Sequence, residues 1–421
     1  MKKLISLLLA LTLCFALVAC GGTKEEAKTE APAAEAAPAA DAAPAAPEKA
    51  EEPAPIKVGL VCLHDETSGY DKNFIDAFKA ACEKLGVEYV IKTNVAEDQA
   101  AADATAEFAD AGCAVVFTDS YGHQPYVLQT ALEFPEVQFT SCTGDTANLD
   151  GVENFHNAFA TIYEGRFLAG VAAGMKLNEM IEAGEFTAEE AKMGYVGAMP
   201  YAEVKSGYTS FYLGAKSVCP SVTMDVVFTG SWYDETLEKE GAESLIKGGA
   251  KLISQHADSM GAPNACEAAG VPNVSYNGST QAACPNTYII SSRINWEPYF
   301  TYAIETVMNG GNYDTDWCGT LATESVLLTE LNESVAAAGT AEKIAEVKAA
   351  LEDGSVKVFD SATFTVGGEA VANAFAIDTD GDWVNDSNEA VYDGAFNESV
   401  FRSAPYFALD IDGINILGNV A

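Results

Sequence analysis

Residues 56–421 are predicted to fold as an α/β protein of two lobes, each a mostly parallel sheet with helices on both faces. Three observations carry that expectation. Apolar runs of strand length alternate with longer segments of helical period, the pattern of parallel strands joined by helical crossovers. The alternation comes in two stretches, each with enough strands for a sheet of its own. Aromatic and short polar residues recur just after the strands, on the side where open parallel sheets hold ligands. A cleft between the lobes is therefore the natural site.

In the first stretch, KVGLVCL (57–63) precedes a helix that places Phe74, Ala77, Phe78, Ala81 and Leu85 on one face and ends at Gly86. EYVIKTNV (88–95), a helix near 97–110, AVVFTDS (114–120), a helix near 124–134 and VQFTSCTG (137–144) follow. The second stretch opens with a helix at 161–183. It continues through MGYVGA (193–198), helix 203–218, VVFTGSW (226–232), helix 235–248, KLISQHA (251–257) and NVSYNGS (273–279). The two stretches share no legible sequence repeat.

The chain begins differently. Lys2 and Lys3 precede an apolar run from Leu4 to Val18, too short to span a bilayer comfortably. The run ends Leu17-Val18-Ala19-Cys20-Gly21-Gly22, which resembles a bacterial lipobox. Residues 1–20 therefore read as a lipoprotein signal peptide, with Cys20 as the lipidated N-terminus of a protein held on the extracytoplasmic face of the membrane. Residues 21–55 are almost all Ala, Pro, Glu and Lys, and read as a disordered tether. The net charge of −39, from 62 acidic and 23 basic residues, would repel phosphate backbones and argues against nucleic acid as a partner. Eight cysteines follow Cys20 and none forms a C-x-x-C pair. Zinc ribbons and thioredoxin-like redox motifs are thereby excluded, and buried free thiols are expected.

The strand exits carry the candidate binding residues. Tyr70 and Phe74 stand one helical turn apart after the first strand, and the third strand ends Asp119-Ser120-Tyr121. Met199 and Tyr201, then Ser231-Trp232-Tyr233, follow strands of the second stretch. His256 and Asp258, Tyr276 and Asn277, and Asn295-Trp296 complete the set. Flat π-faces with a few donors and acceptors suit a planar heterocycle, since stacking is worth about 1–3 kcal/mol per base.

IYEGRFLAGVAAG (162–174), MGYVGAMPYAEVKSGYTSFYLGA (193–215), VVFTGSWYDE (226–235), QHADS (255–259), INWEPYF (294–300) and VKVFDSATF (356–364) occur in this order. Together they resemble the basic membrane protein family of purine- and nucleoside-binding lipoproteins that serve ABC importers. The resemblance implies the type I periplasmic-binding-protein fold and a monomer that delivers its ligand to permease subunits. It also implies that the helix at 296–310 returns to the first lobe. The N-terminal lobe would then hold 56–158 and 295–318, and the C-terminal lobe 159–294 and 319–421, with crossovers near 156–161, 290–294 and 316–322.

The same resemblance makes Tyr70, Phe74, Tyr121 and Trp232 aromatic ligand contacts, and Ser120, Asp258, Asn277 and Asn295 polar ones. Met199 and Trp296 join them from their positions at strand exits. The chain departs from nucleoside-binding members in two places. Tyr70-Asp71-Lys72-Asn73-Phe74 stands where many have Asp-x-Ser-Phe-Asn, and Asn295 stands where they have a lysine directed at the sugar. A free base such as adenine is favoured over its nucleoside. A sugar-binding protein of the same fold, with Trp232 and Trp296 stacked on pyranose, and a surface receptor or adhesin lipoprotein are the alternatives.

Enzyme motifs are missing: there is no G-x-S-x-G, G-x-x-x-x-G-K-[ST], H-E-x-x-H or G-x-G-x-x-G. His64, His123 and His256 lie near strand exits and could meet Asp258 around a metal ion, although their spacing matches no metal motif. Asp378, Asp380, Asp382, Asp386 and Glu389 fall at positions 1, 3, 5, 9 and 12 of an EF-hand-like loop, with Trp383 where the turn calls for glycine. A structural calcium ion there is the single cofactor the sequence suggests.

Overall fold

The computed structural model describes residues 56–376 and 387–420. The lipobox with Cys20, the tether, and Asp378, Asp380, Asp382 and Asp386 lie outside the described residues.

The first sheet is built from β1 (Lys57–Val61), β2 (Glu88–Lys92), β3 (Cys113–Thr118), β4 (Gln138–Cys142) and β5 (Phe155–Ala160). Between them run α1 (Gly69–Leu85), α2 (Gln99–Asp110) and α3 (Gln124–Glu133), with the single turn α4 (Ala147–Asp150) before β5. Ser68 starts α1 by accepting the Asp71 amide at 3.2 Å, and Gly86 ends it with φ 67°, a left-handed conformation favouring glycine.

The chain then enters the second sheet through α5 (Ile162–Glu182). β6 (Lys192–Gly197), α6 (Ala202–Val218), β7 (Thr223–Phe228), α7 (Glu235–Lys247), β8 (Leu252–His256), α8 (Gly261–Ala269), β9 (Asn273–Tyr276) and β10 (Tyr288–Ile294) follow. It returns to the first sheet with α9 (Glu297–Met308) and β11 (Asp316–Gly319), and crosses back to β12 (Val326–Leu328) and α10 (Thr340–Glu352). Two short hairpins, β13 (Thr365–Val366) with β14 (Glu369–Ala370) and β15 (Val391–Tyr392) with β16 (Ala395–Phe396), lead to the last strand β17 (Ile414–Asn419).

Strand order in the first sheet is β11-β5-β4-β3-β1-β2, all parallel. In the second it is β12-β10-β9-β8-β6-β7-β17, parallel except for β12. Each sheet thus contains the same five-strand winding, β2-β1-β3-β4-β5 and β7-β6-β8-β9-β10, a repeat of topology that the sequence does not display. Each winding reverses beside its first strand, and such a reversal opens a crevice beyond the strands' carboxyl ends.

Apolar clusters lie on both faces of each sheet. In the first lobe Phe74, Phe78 and Phe300 pack on one face, and Phe108, Val127 and Phe139 on the other. In the second, Val171, Phe211 and Tyr212 oppose Leu245, Ile253 and Ala265. Helices α5 and α6 touch backbone to backbone. A methyl group at Gly170 would lie 2.0 Å from the Phe211 carbonyl oxygen, and one at Gly214 would lie 2.0 Å from that of Phe167. The eight cysteines among the described residues are free thiols, seven of them buried.

Candidate functional site

Beyond the carboxyl ends of the strands, between the lobes, lies a cavity of about 530 Å³, within the range of roughly 300–1,000 Å³ usual for small-molecule sites. Its wall follows the topology. Leu63 and His64 come after β1, Ser120 and Tyr121 after β3, and Thr143 and Asp145 after β4. From the second lobe Tyr201 and Glu203 follow β6, Trp232 follows β7, and His256 and Asp258 close β8. A third contribution comes from far along the chain: Arg402, Ala404, Pro405 and Tyr406.

Aromatic faces enter from both lobes. Tyr121 meets Tyr201 at a centroid distance of 6.1 Å, and Tyr201 meets Trp232 at 6.0 Å, so the three rings form a chain across the cleft. Tyr70 is set by its hydroxyl, which donates to the Asp119 carbonyl oxygen at 2.5 Å.

Most polar groups on the wall are already held. Ser120 Oγ donates to Glu97 at 2.5 Å. Asp145 pairs with Arg402 at 3.1 Å and accepts from Gln124 Nε2 at 3.0 Å. Asp258 differs. Its amide donates to the Trp232 carbonyl at 3.0 Å, yet its carboxylate has no hydrogen-bond partner among the described residues. Burial pushes the Asp258 pKa well above the usual carboxylate range, helped by Asp71, Glu238 and Glu203 and opposed by Arg166.

Charged groups lie in this wall and just behind it. Arg166 lies over the Tyr276 ring at 3.2 Å and donates to the Gln255 carbonyl at 2.9 Å. His256 Nε2 contacts Glu203 at 2.9 Å, while burial holds the imidazole below its ordinary pKa. On the other lobe Asp71 accepts from the His64 amide and the Ser68 hydroxyl, both at 2.6 Å. Its neighbour Asp119 has its pKa pushed well up by burial first and by Asp71 second.

The structure brings Tyr70, Ser120, Tyr121, Trp232 and Asp258 together on one cavity. Asn277 and Asn295 border a second, more open hollow of about 550 Å³, which shares only Asp258 and Tyr276 with the first. Asn295 Nδ2 there donates to the Glu324 carbonyl at 3.0 Å.

Phe74 and Trp296 lie elsewhere. They stack on each other at 4.3 Å and are 0% and 1% exposed, so they form lobe core, not cavity wall. Met199 lies on neither wall; Tyr201, two residues on, fills that place. The histidines do not converge on a metal site: His64 and His256 line the cavity, but His123 is buried against the Val95 carbonyl at 2.9 Å. Among the described residues the one compact group of metal-type ligands is Cys62, Asp71 and Asp119, which contains no histidine. Of the calcium set, Glu389 accepts the Ala374 and Val391 amides at 2.9 Å each.

Sequence reasoning missed Asp145, Glu203 and the contribution from 402–406. The strand-exit rule could have found the first two, because Asp145 follows β4 and Glu203 follows β6.

A ligand-sized cavity walled by two doubly wound lobes, with the chain passing three times between them, defines a two-lobed solute-binding protein. A family model described as ABC transporter substrate-binding protein, PnrA-like (Bmp), matches residues 62–358, and the chain belongs to that family. A purine-binding protein of Brucella abortus is 30% identical over 61% of this chain and 69% of its own length. A Haloferax volcanii protein assigned provisionally to ABC-transporter glucose binding is also 30% identical, over 51% of each chain. Among solved structures, an ABC transporter solute-binding protein from Aeropyrum pernix K1 superposes with a TM-score of 0.60 at 20% identity, over 72% of this chain and 93% of that one. That likeness bears on the fold alone, which is the expected type I arrangement. Substrate-binding proteins of ABC transporters are extracytoplasmic, and among the described residues no helix is long and apolar enough to cross a membrane.

Proposed function

We propose that this chain captures a purine base, adenine or a close analogue, and hands it to the permease of an ABC importer while tethered to the membrane by lipid on Cys20. The observation that carries the reading is Asp258. It is a carboxylate without a hydrogen-bond partner among the described residues, set in a cavity lined by aromatic rings from both lobes. A purine offers flat faces to Tyr121, Tyr201 and Trp232, and N–H donors along one edge to Asp258. The purine-binding relative from Brucella supports the same ligand class.

Capture follows from differential affinity. A ligand that touches both lobes favours the closed arrangement by as much as it binds that arrangement more tightly than the open one. The chain's own residues supply the stacking faces, the acceptor and the exclusion of water. No residue performs covalent chemistry in this reading, and the protein acts as a monomer.

The base is preferred to the nucleoside because, among the described residues, no lysine or arginine of the wall is left free for the ribose: Lys205 is paired with Asp410 at 2.6 Å. Arg402 is engaged by Asp145, and Arg293 donates to Asn73 Oδ1 at 3.0 Å on the second hollow. The glucose-binding relative keeps one rival in view, since Trp232 could equally stack on a pyranose. Calorimetry with adenine, adenosine and glucose, alongside mass spectrometry of the compound that co-purifies, decides between them. Tight glucose binding without adenine binding would replace the purine reading with the sugar one.

A further inference from the structure

The family match ends at residue 358, yet part of the cavity wall comes from well beyond it. Arg402, Ala404, Pro405, Tyr406 and Ala408 all face the ligand space. This tail segment is rooted in the second lobe. Tyr406 and Phe407 are fully buried, and Phe407 stacks on Phe359 at 4.4 Å. Glu398 pins the turn by accepting the Phe407 amide at 2.9 Å, the Tyr406 amide at 2.5 Å and the Ser206 hydroxyl of α6 at 2.8 Å.

From that root the segment reaches the first lobe twice. Arg402 Nη1 lies 3.1 Å from Asp145 Oδ2, and each side chain is only 8% exposed. The Ser403 amide donates to Asp316 of β11 at 2.7 Å. Asp145 cannot follow the guanidinium freely, because Gln124 holds it through Nε2 at 3.0 Å and through its own amide at 2.6 Å. Exposed ion pairs contribute little, but parting a shielded pair leaves two charges poorly compensated. Any motion that draws the lobes apart at this edge of the cavity must break that contact.

We propose that segment 398–408 is an interlobe clasp over the cavity, with Arg402 as its positioning residue, and that it sets how fast captured solute escapes. Only the ligand half of this proposal rests on the solute-capture reading. The mechanical half concerns the protein alone.

The test uses the full chain with Arg402→Ala, Asp145→Asn, their double mutant, the milder Arg402→Lys and the exchanged pair Arg402→Asp with Asp145→Arg. Small-angle scattering of ligand-free protein should show a larger radius of gyration for the two single variants. Stopped-flow release of adenine should be faster by roughly ten-fold or more, with Arg402→Lys between them and wild type. The double mutant should be no worse than the worse single, because the two side chains act through one contact, and the exchanged pair should recover part of the loss. Circular dichroism checks that each variant folds; if Arg402→Ala does not, Asp145→Asn and Arg402→Lys carry the decision. Wild-type dimensions and release rates in the folded single variants, or strictly additive effects, would overturn the clasp. If wild-type protein fails to bind adenine, the purine reading falls while the scattering comparison still decides the clasp.

Discussion

Replacing Asp258 with Asn should weaken ligand binding and stabilise the empty protein, two effects of opposite sign from one atom pair. In the ligand-free cavity the carboxylate has no partner among the described residues, and burial raises its pKa well above the usual range. Folded protein then holds that proton more tightly than unfolded protein, whose Asp titrates near about 3.9. Between those two values the folded state binds more protons, so stability falls as pH rises through the window. Arg166 acts on Asp258 less than burial and the three neighbouring carboxylates do, so the amide gives up little attraction. The melting temperature of ligand-free Asp258→Asn should exceed wild type at pH 8, and the gap should close toward pH 4.

Binding moves the other way. A charged acceptor paired with purine N–H groups is worth roughly 1.5–3 kcal/mol, which corresponds to about a ten- to hundred-fold weaker Kd for the Asn variant. Wild-type affinity should itself rise with pH as the carboxylate ionises. Scanning calorimetry from pH 4 to 9 and titration with adenine measure both effects. A lower melting temperature for Asp258→Asn at pH 8, or an unchanged Kd, would refute the reasoning.

Trp232→Ala should weaken adenine binding by about 1–3 kcal/mol if the indole stacks on the base, and unchanged affinity by calorimetry would remove it from the site. Cys20→Ala should release the protein into the medium or leave the precursor unprocessed, a result read by fractionation and immunoblot; normal membrane retention would count against the lipid anchor. If the 378–389 loop binds calcium, EDTA should lower the melting temperature and Asp380→Ala should abolish that response.

The fold was legible because each helix advertises its buried face at the right period. In α1, Phe74, Ala77, Phe78 and Ala81 are all buried, as their spacing predicts. Tyr70, Ser120, Tyr121, Trp232 and Asp258 were legible for a geometric reason: strand ends in a parallel sheet point to one edge, so residues just after them converge. The rule locates backbone and says nothing about where a side chain turns. Phe74 and Trp296 satisfy it by position, yet both rotate inward and stack in the core. The tail was opaque for a different reason. The hairpin strands leading into it are two residues long, too short to show a period, and its decisive contact joins residues 257 positions apart. Nothing local distinguishes Arg402 from a surface arginine.

Helices α5 and α6 meet through Gly170 and Gly214 with carbonyl oxygens where side chains would ordinarily stand. Two rods seated that deeply cannot slide past each other without steric collision, so they behave as one beam. One end of the beam, Ala202 and Glu203 at the start of α6, touches the solute space. The same end carries Ile162 at the start of α5, which adjoins the point where the chain leaves the first sheet. The cavity and the crossover between the lobes therefore meet at one end of a single rigid unit. A side chain wedged at Gly170 or Gly214 would force the two helices apart, and with them the start of α6 that lines the cavity.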